Sequence, residues 1–180
     1  MYKFAPAWEH EPIVFGAARP GYSQNQVYEW IEFMKQQDIQ RVCCLLPDKQ
    51  LANYSNLLGI YQHEFGNQQV CSAPIEDFHL ADLETLTQKI IPFLITADKQ
   101  CEKVVVHCSG GIGRTGHVLA AWLVSVRGFS NKDAITAVKR IGKNPHEAAL
   151  AAVFIGKNPF KVIRELETLL NNCRLLFRDK

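Results

Sequence analysis

Cys108 and Arg114 stand six residues apart in VVVHCSGGIGRTGHVLA, where an apolar run leads into a glycine-rich turn and then into another apolar run. A thiol that titrates near 8.5 is only a few per cent thiolate at neutral pH, but at a helix N-terminus it falls to roughly 3.5–7.5 and becomes a ready nucleophile. Gly110, Gly111 and Gly113 let the backbone turn inward. The N–H groups of Ser109, Gly110, Gly111, Ile112, Gly113 and Arg114 can then converge on one phosphoryl group, reinforced by the helix dipole. Arg114 adds a planar fork of donors for two oxygens, a geometry Lys cannot copy. Thr115 places a hydroxyl near the sulfur, where it can stabilise a departing thiolate. His107, just before the cysteine, is expected to orient it through hydrogen bonds and not to act as general base.

A cysteine six residues before an arginine is common by chance, and nucleotide-binding folds also place glycine-rich turns between strand and helix. The nucleotide loop, however, ends in Gly-Lys-Ser/Thr, whereas this one ends in Gly-Arg-Thr-Gly. HCSGGIGRTG resembles the His-Cys-x5-Arg-Ser/Thr signature of the protein-tyrosine-phosphatase superfamily. Length and flanks are similar to the small atypical dual-specificity phosphatases. The resemblance runs from about Phe15 to Glu147 and includes FGAARPGY, the RVCCLLP segment and the PIEDF turn. It implies a metal-independent, cofactor-free cysteine phosphatase. The expected substrate is a phosphorylated protein, with phosphotyrosine and also phosphoserine or phosphothreonine as the ester.

Such chemistry needs an acid for the leaving oxygen. The family carries an aspartate about 30 residues before the cysteine, and Asp77 lies 31 residues upstream. Glu76 stands where the family commonly has proline. Glu76 and Asp82 are competing acids; their plainer roles are a solvated loop charge and a helix cap. The resemblance also implies a pocket border at Arg19 and near NPHEAA, where Asn144 and Glu147 also suit an ordinary capping box. Some relatives trap an oxidised nucleophile with a nearby thiol, but Cys43 and Cys44 read first as core residues. His117 and His146 read as exposed helix residues.

Positioning this loop requires a strand before it and a helix after it. KVVVH is the clearest strand, and TGHVLAAWLVSV, apolar nearly all round, should be a central buried helix ending at Gly128. Ser23 and Gln26 form a capping box before Val27, Trp30, Ile31 and Met34. RVCCLLP and QQVCSAPI read as strands. Asp82 should cap a helix to about Thr96, kinked at Pro92, and Ser130 with Asp133 starts another ending near Gly142. The pentapeptide IGKNP occurs at 141–145 and again at 155–159. Gly closing one helix, Asn capping the next and Pro in its first turn explain both copies. The pattern predicts one α/β domain over 1–180, with a mainly parallel sheet of four or five strands flanked by helices.

The chain has 180 residues, 47% of them hydrophobic, which suits one sizeable core. A net charge of +2 without a basic stripe predicts no nucleic-acid or anionic-membrane partner. MYKFAPAWEHEPIVFG lacks the features of a secretory signal, and six cysteines without zinc spacing fit a reducing cytoplasm. A monomer is expected. Three other readings use the same loop: a phosphatase of phosphoinositides or RNA 5′-phosphates, a phosphoprotein-binding module, and a rhodanese-like sulfurtransferase. The absence of lysine from SGGIG disfavours an inositol substrate. Binding alone needs neither nucleophile nor acid, and a sulfurtransferase has no use for an acid at PIEDF.

Overall fold

The structure, a computed structural model, describes residues 2–154, 156 and 158–177. Its strands are β1 (Ala5–Pro6), β2 (Val14–Ala18), β3 (Ile39–Cys44), β4 (Val70–Ser72) and β5 (Lys103–Cys108). They form one sheet in the order β1-β2-β5-β3-β4, parallel except for the β1 edge. The helices are α1 (Gln24–Gln36), α2 (Asp48–Leu51), α3 (Leu57–Phe65), α4 (Ile91–Lys99), α5 (Gly113–Ser125), α6 (Asn131–Arg140), α7 (Glu147–Phe154) and α8 (Pro159–Phe177).

Side chains of β5 alternate between two cores. Val105 faces the layer containing Trp30, Ile31, Met34 and Tyr61 of α1 and α3. Val104, Val106 and Cys108 face the layer containing Leu94, Leu119, Trp122 and Leu170 of α4, α5 and α8. This two-sided burial explains why β5 is apolar at successive positions. The register pairs Ala18 with Cys108 and Cys44 with His107, so the C-terminal ends of β2, β3 and β5 meet at one edge. In open parallel sheets that edge is where ligands bind.

Local signals in the sequence resolve much as expected. Ser23 and Gln26 complete the capping box of α1, and every residue of α5 is buried. The helix ends at Ser125, and Gly128 takes a φ of +73° just beyond it. Asp82 accepts from the Thr85 amide at 2.7 Å and from its hydroxyl at 2.7 Å. These bonds hold its carboxyl below the ordinary range. The kink expected at Pro92 takes the form of a π-helical turn over Thr85–Ile90, which leads into α4 with Pro92 in its first turn. A widened turn accommodates the missing N–H without breaking the helix.

Both IGKNP copies punctuate helices: Gly142 and Gly156 have φ of +79° and +69°. The Asn144 and Asn158 side chains accept from the amides two residues on. Ile155 and Lys157 of the second copy lie outside the described residues.

Glu11, 4% exposed, ties the N-terminal segment to the far end of α5. Its carboxylate accepts from Trp122 Nε1 at 3.1 Å and from Arg127 Nε at 3.0 Å and Nη2 at 2.9 Å. Arg127 also donates from Nη1 to Asp98 at 3.0 Å, and the two carboxylates raise its already high pKa. This network offsets the desolvation of a buried carboxylate.

Candidate active site

Strand β5 ends at Cys108, and α5 begins five residues later, so the intervening loop is held between a central strand and a buried helix. Cys108 is 2% exposed, and its Sγ accepts a hydrogen bond from Thr115 Oγ1 at 3.2 Å. Gly111 has a φ of +66°, and a Cβ there would lie 2.4 Å from the Ala18 nitrogen. Any larger residue would push the loop off the end of β2. Among the described residues, no backbone acceptor is paired with the N–H groups of residues 109–112.

Arg114 is 4% exposed. Its Nη1 donates to Ile75 O at 3.0 Å and to Gln50 Oε1 at 3.1 Å, while Nη2 pairs with the Asp77 carboxylate. Gln50 Nε2 in turn donates to Asp77 Oδ2 at 2.5 Å. The phosphate-clamp candidate, the acid candidate and a residue of α2 therefore form a closed polar triangle above the loop.

Arg19 also borders the loop. Its backbone N–H donates to Cys108 O at 2.9 Å, and its Nε donates to Ser109 Oγ at 3.4 Å. Its Nη1 donates to the Tyr54 hydroxyl at 2.9 Å, and the guanidinium carbon lies 3.7 Å above the Tyr22 ring centroid. Tyr22 is 47% exposed, so an aromatic and cationic wall rises beside Ser109.

Among the described residues, neither competing acid is bonded to Arg114 as Asp77 is. Asp82 is occupied as a helix cap, and Glu76 is exposed. Glu147 packs against the loop's end: a Cβ on Gly113 would meet its carboxylate oxygen at 2.0 Å.

Both histidines of this stretch are enclosed. Neither ring nitrogen of His107 meets a partner at full hydrogen-bond geometry, and the polar group that acts on the ring is the Cys108 backbone. Its ring packs edge-on to Trp30 and Tyr61 at centroid distances of 5.3 and 5.7 Å. Burial pushes its pKa down to about 3, and the Cys108 backbone pulls the other way. His117, expected on an exposed helix face, is 1% exposed, and its Nε2 accepts from the Ala81 amide at 3.1 Å. The reason is that α5 is surrounded by other elements, so it has no solvent face. His146 is half-buried.

Cys43 and Cys44 are core residues, on opposite faces of the sheet. Cys43 lies opposite Cys71 in register, and burial pushes the Cys44 thiol up to about 12.

Lys143 escaped the sequence reading because it sits inside a helix-punctuation motif. It is 2% exposed, its ammonium donates to the Lys3 carbonyl, and its stem lies beside Gly16. Burial pushes its pKa down to about 8, and Cys108 is the group that opposes this. Gln50 and Tyr54 carried no signal either, being ordinary polar residues of a helix and a loop.

Among the described residues, no helix is long and apolar enough to cross a membrane, and no three His, Cys, Asp or Glu side chains are grouped as metal ligands.

Comparison with known proteins agrees with this geometry. Rat dual specificity protein phosphatase 5 is 26% identical over 139 residues, which covers 72% of this chain and 35% of that protein. The chain thus spans about a third of the length of that relative. The crystal structure of Tk-PTP in its active form superposes with a TM-score of 0.64 at 27% identity, over 87% of this chain and 92% of that one. PTPMT1 in complex with PI(5)P, at 16% identity and a TM-score of 0.66 over 94% of this chain and 96% of that one, shares the fold. Residues 22–149 match the family described as dual specificity phosphatase, catalytic domain, and the chain belongs to that family.

Proposed function

We propose that residues 1–180 form one catalytic domain that hydrolyses phosphomonoesters of proteins, phosphotyrosine and also phosphoserine and phosphothreonine, through a phosphocysteine on Cys108. The observation that carries this reading is the Thr115 hydroxyl at 3.2 Å from Cys108 Sγ, at the base of a loop whose rim holds Arg114 and Asp77. A hydroxyl donating to sulfur favours the thiolate, both as nucleophile and as second-step leaving group.

In the first step the Cys108 thiolate attacks phosphorus in line. The N–H groups of residues 109–114 and the Arg114 guanidinium take up the charge on the equatorial oxygens. Asp77 protonates the departing oxygen. Water then attacks the phosphocysteine with Asp77 as base, releasing phosphate and the thiolate. Positioning and charge stabilisation provide most of the rate.

The Arg19–Tyr22 wall supports an aryl ester, because a tyrosine ring can pack against it while its phosphate reaches the loop. The family match supports a protein substrate. Six free thiols support a reducing cytoplasm, where we place the chain as a monomer without metal or other cofactor.

The test is hydrolysis of para-nitrophenyl phosphate in EDTA and fresh reductant, comparing wild type with Cys108→Ser. Turnover abolished by the substitution upholds the reading. An inactive wild type with reduced Cys108 overturns it in favour of a phosphoprotein-binding module. Phosphopeptides and phosphoinositide vesicles, assayed side by side, then decide the substrate class.

A further inference from the structure

His117 is a fully enclosed titratable side chain for which the two-step mechanism has no use. Its Nε2 accepts the Ala81 N–H at 3.1 Å, and its other polar contact is the backbone of Gly113, the first residue of α5. Ala81 lies four residues after Asp77 and directly before Asp82, the helix cap, so its amide is where the acid-bearing loop rejoins regular structure. At the other end of that loop, Arg114 Nη1 holds the Ile75 carbonyl at 3.0 Å. Residues 114 and 117 are three apart on one face of α5. The first turn of the helix that carries the phosphate loop therefore grips the acid loop at both ends.

We propose that His117 is a positioning residue that fixes the Asp77 loop to the phosphate loop through its bond to Ala81, and so sets where the acid sits relative to the phosphoryl group. The proposal rests on the phosphatase reading for its catalytic consequence, but the tether itself is a property of the fold.

Several features suit the ring to this task. It accepts a hydrogen bond only when neutral, and burial together with the nearby Arg114 charge keeps its pKa down at about 4. Between Ile75 and Ala81 the loop is mostly exposed, and Phe78 sits at a φ of +59° with 54% exposure. Between those ends the segment meets the rest of the protein through the Arg114 and Gln50 contacts of Asp77 and the packing of the partly buried Leu80. An apolar residue at 117 would fill the space but leave the Ala81 N–H buried and unpaired.

The experiment compares wild type, His117→Leu and His117→Gln in two measurements: hydrogen exchange at the Ala81 amide, and hydrolysis of 4-nitrophenyl and phenyl phosphate. The Leu variant should lose about tenfold or more of the Ala81 protection, the share of one hydrogen bond. It should also slow phenyl phosphate, whose leaving group needs the acid, about tenfold more than 4-nitrophenyl phosphate. Gln, which carries a side-chain carbonyl acceptor, should recover both. Unchanged Ala81 protection in the Leu variant, or equal slowing of both esters, overturns the proposal. Should the wild type hydrolyse neither ester, the phosphatase reading fails, and the Ala81 exchange still decides whether the tether exists.

Discussion

Asp77 and Arg114, 37 positions apart in sequence, form an ion pair across the mouth of the catalytic loop, with Gln50 bonded to both. The acid candidate thereby neutralises the phosphate-clamp candidate. A phosphate dianion bound by the loop is expected to compete with Asp77 for the guanidinium.

Asp77→Ala should therefore separate binding from catalysis. Its kcat is expected to fall about 10²–10⁴-fold, while inorganic phosphate, measured as a competitive inhibitor, should bind more tightly because Arg114 is free. The loss should be larger for an aryl phosphate with a poor leaving group. Weaker phosphate binding in the variant would show that Asp77 helps to hold the anion instead.

Lys143→Met keeps the volume of the buried stem and removes its charge. Cys108 is the group whose charge opposes the effect of burial on the Lys143 ammonium, so the two attract. Alkylation of Cys108 by iodoacetamide at neutral pH should be slower in the variant, because a positive charge near the sulfur has been removed. The variant should also melt at a higher temperature, since an ammonium that is costly to bury has been replaced by an apolar group. An unchanged alkylation rate would reduce Lys143 to a packing role.

Acid should destabilise the fold before most carboxylates titrate. The folded pKa values of His107 and His117, about 3 and about 4, lie below the ordinary 6.5. Above 6.5 both rings are neutral in either state and stability is at its full value. As pH falls below 6.5 the unfolded chain takes up protons that the folded chain refuses, so stability falls until the folded pKa values are reached. The slope contributed is on the order of 1.4 kcal/mol per pH unit for each ring. Urea midpoints measured between pH 7.5 and 4.5 should drop steadily, and His117→Gln should flatten the curve. A flat wild-type curve would contradict burial of the neutral rings.

Glu11→Ala should be strongly destabilising, by about 3–5 kcal/mol, because it leaves Trp122 Nε1 unpaired and removes one of the two carboxylates that balance Arg127. Denaturant unfolding measures it. Glu9→Ala, at an exposed position nearby, should change stability by less than about 0.5 kcal/mol.

What the sequence determined by itself was everything whose cause is local. The strand Lys103–Cys108 carries three consecutive valines, the start of α1 is a self-contained capping box, and both IGKNP segments end helices by glycine at positive φ. The nucleophile, the glycine turn and Arg114 are contiguous, so their chemistry could be read along the chain. Strand β2 was not legible as a strand, because VFGAA has little strand propensity of its own. It is extended because β5 and β1 pair with it on either side, and Gly16 is required where a Cβ would lie 2.8 Å from Thr115 Cγ2.

Only the tertiary structure decided which distant groups reach the loop. Gln50 meets Arg114 from 64 positions away, Lys3 meets Lys143 from 140, and Ala81 meets His117 from 36. The sequence predicted His117 as exposed because it judged a polar residue by its type, whereas its burial follows from α5 being enclosed on every side. Hydrogen bonding and burial act through space. A residue's type and its neighbours along the chain therefore specify what it can do, and the packing of the sheet edge against α5 specifies what it does.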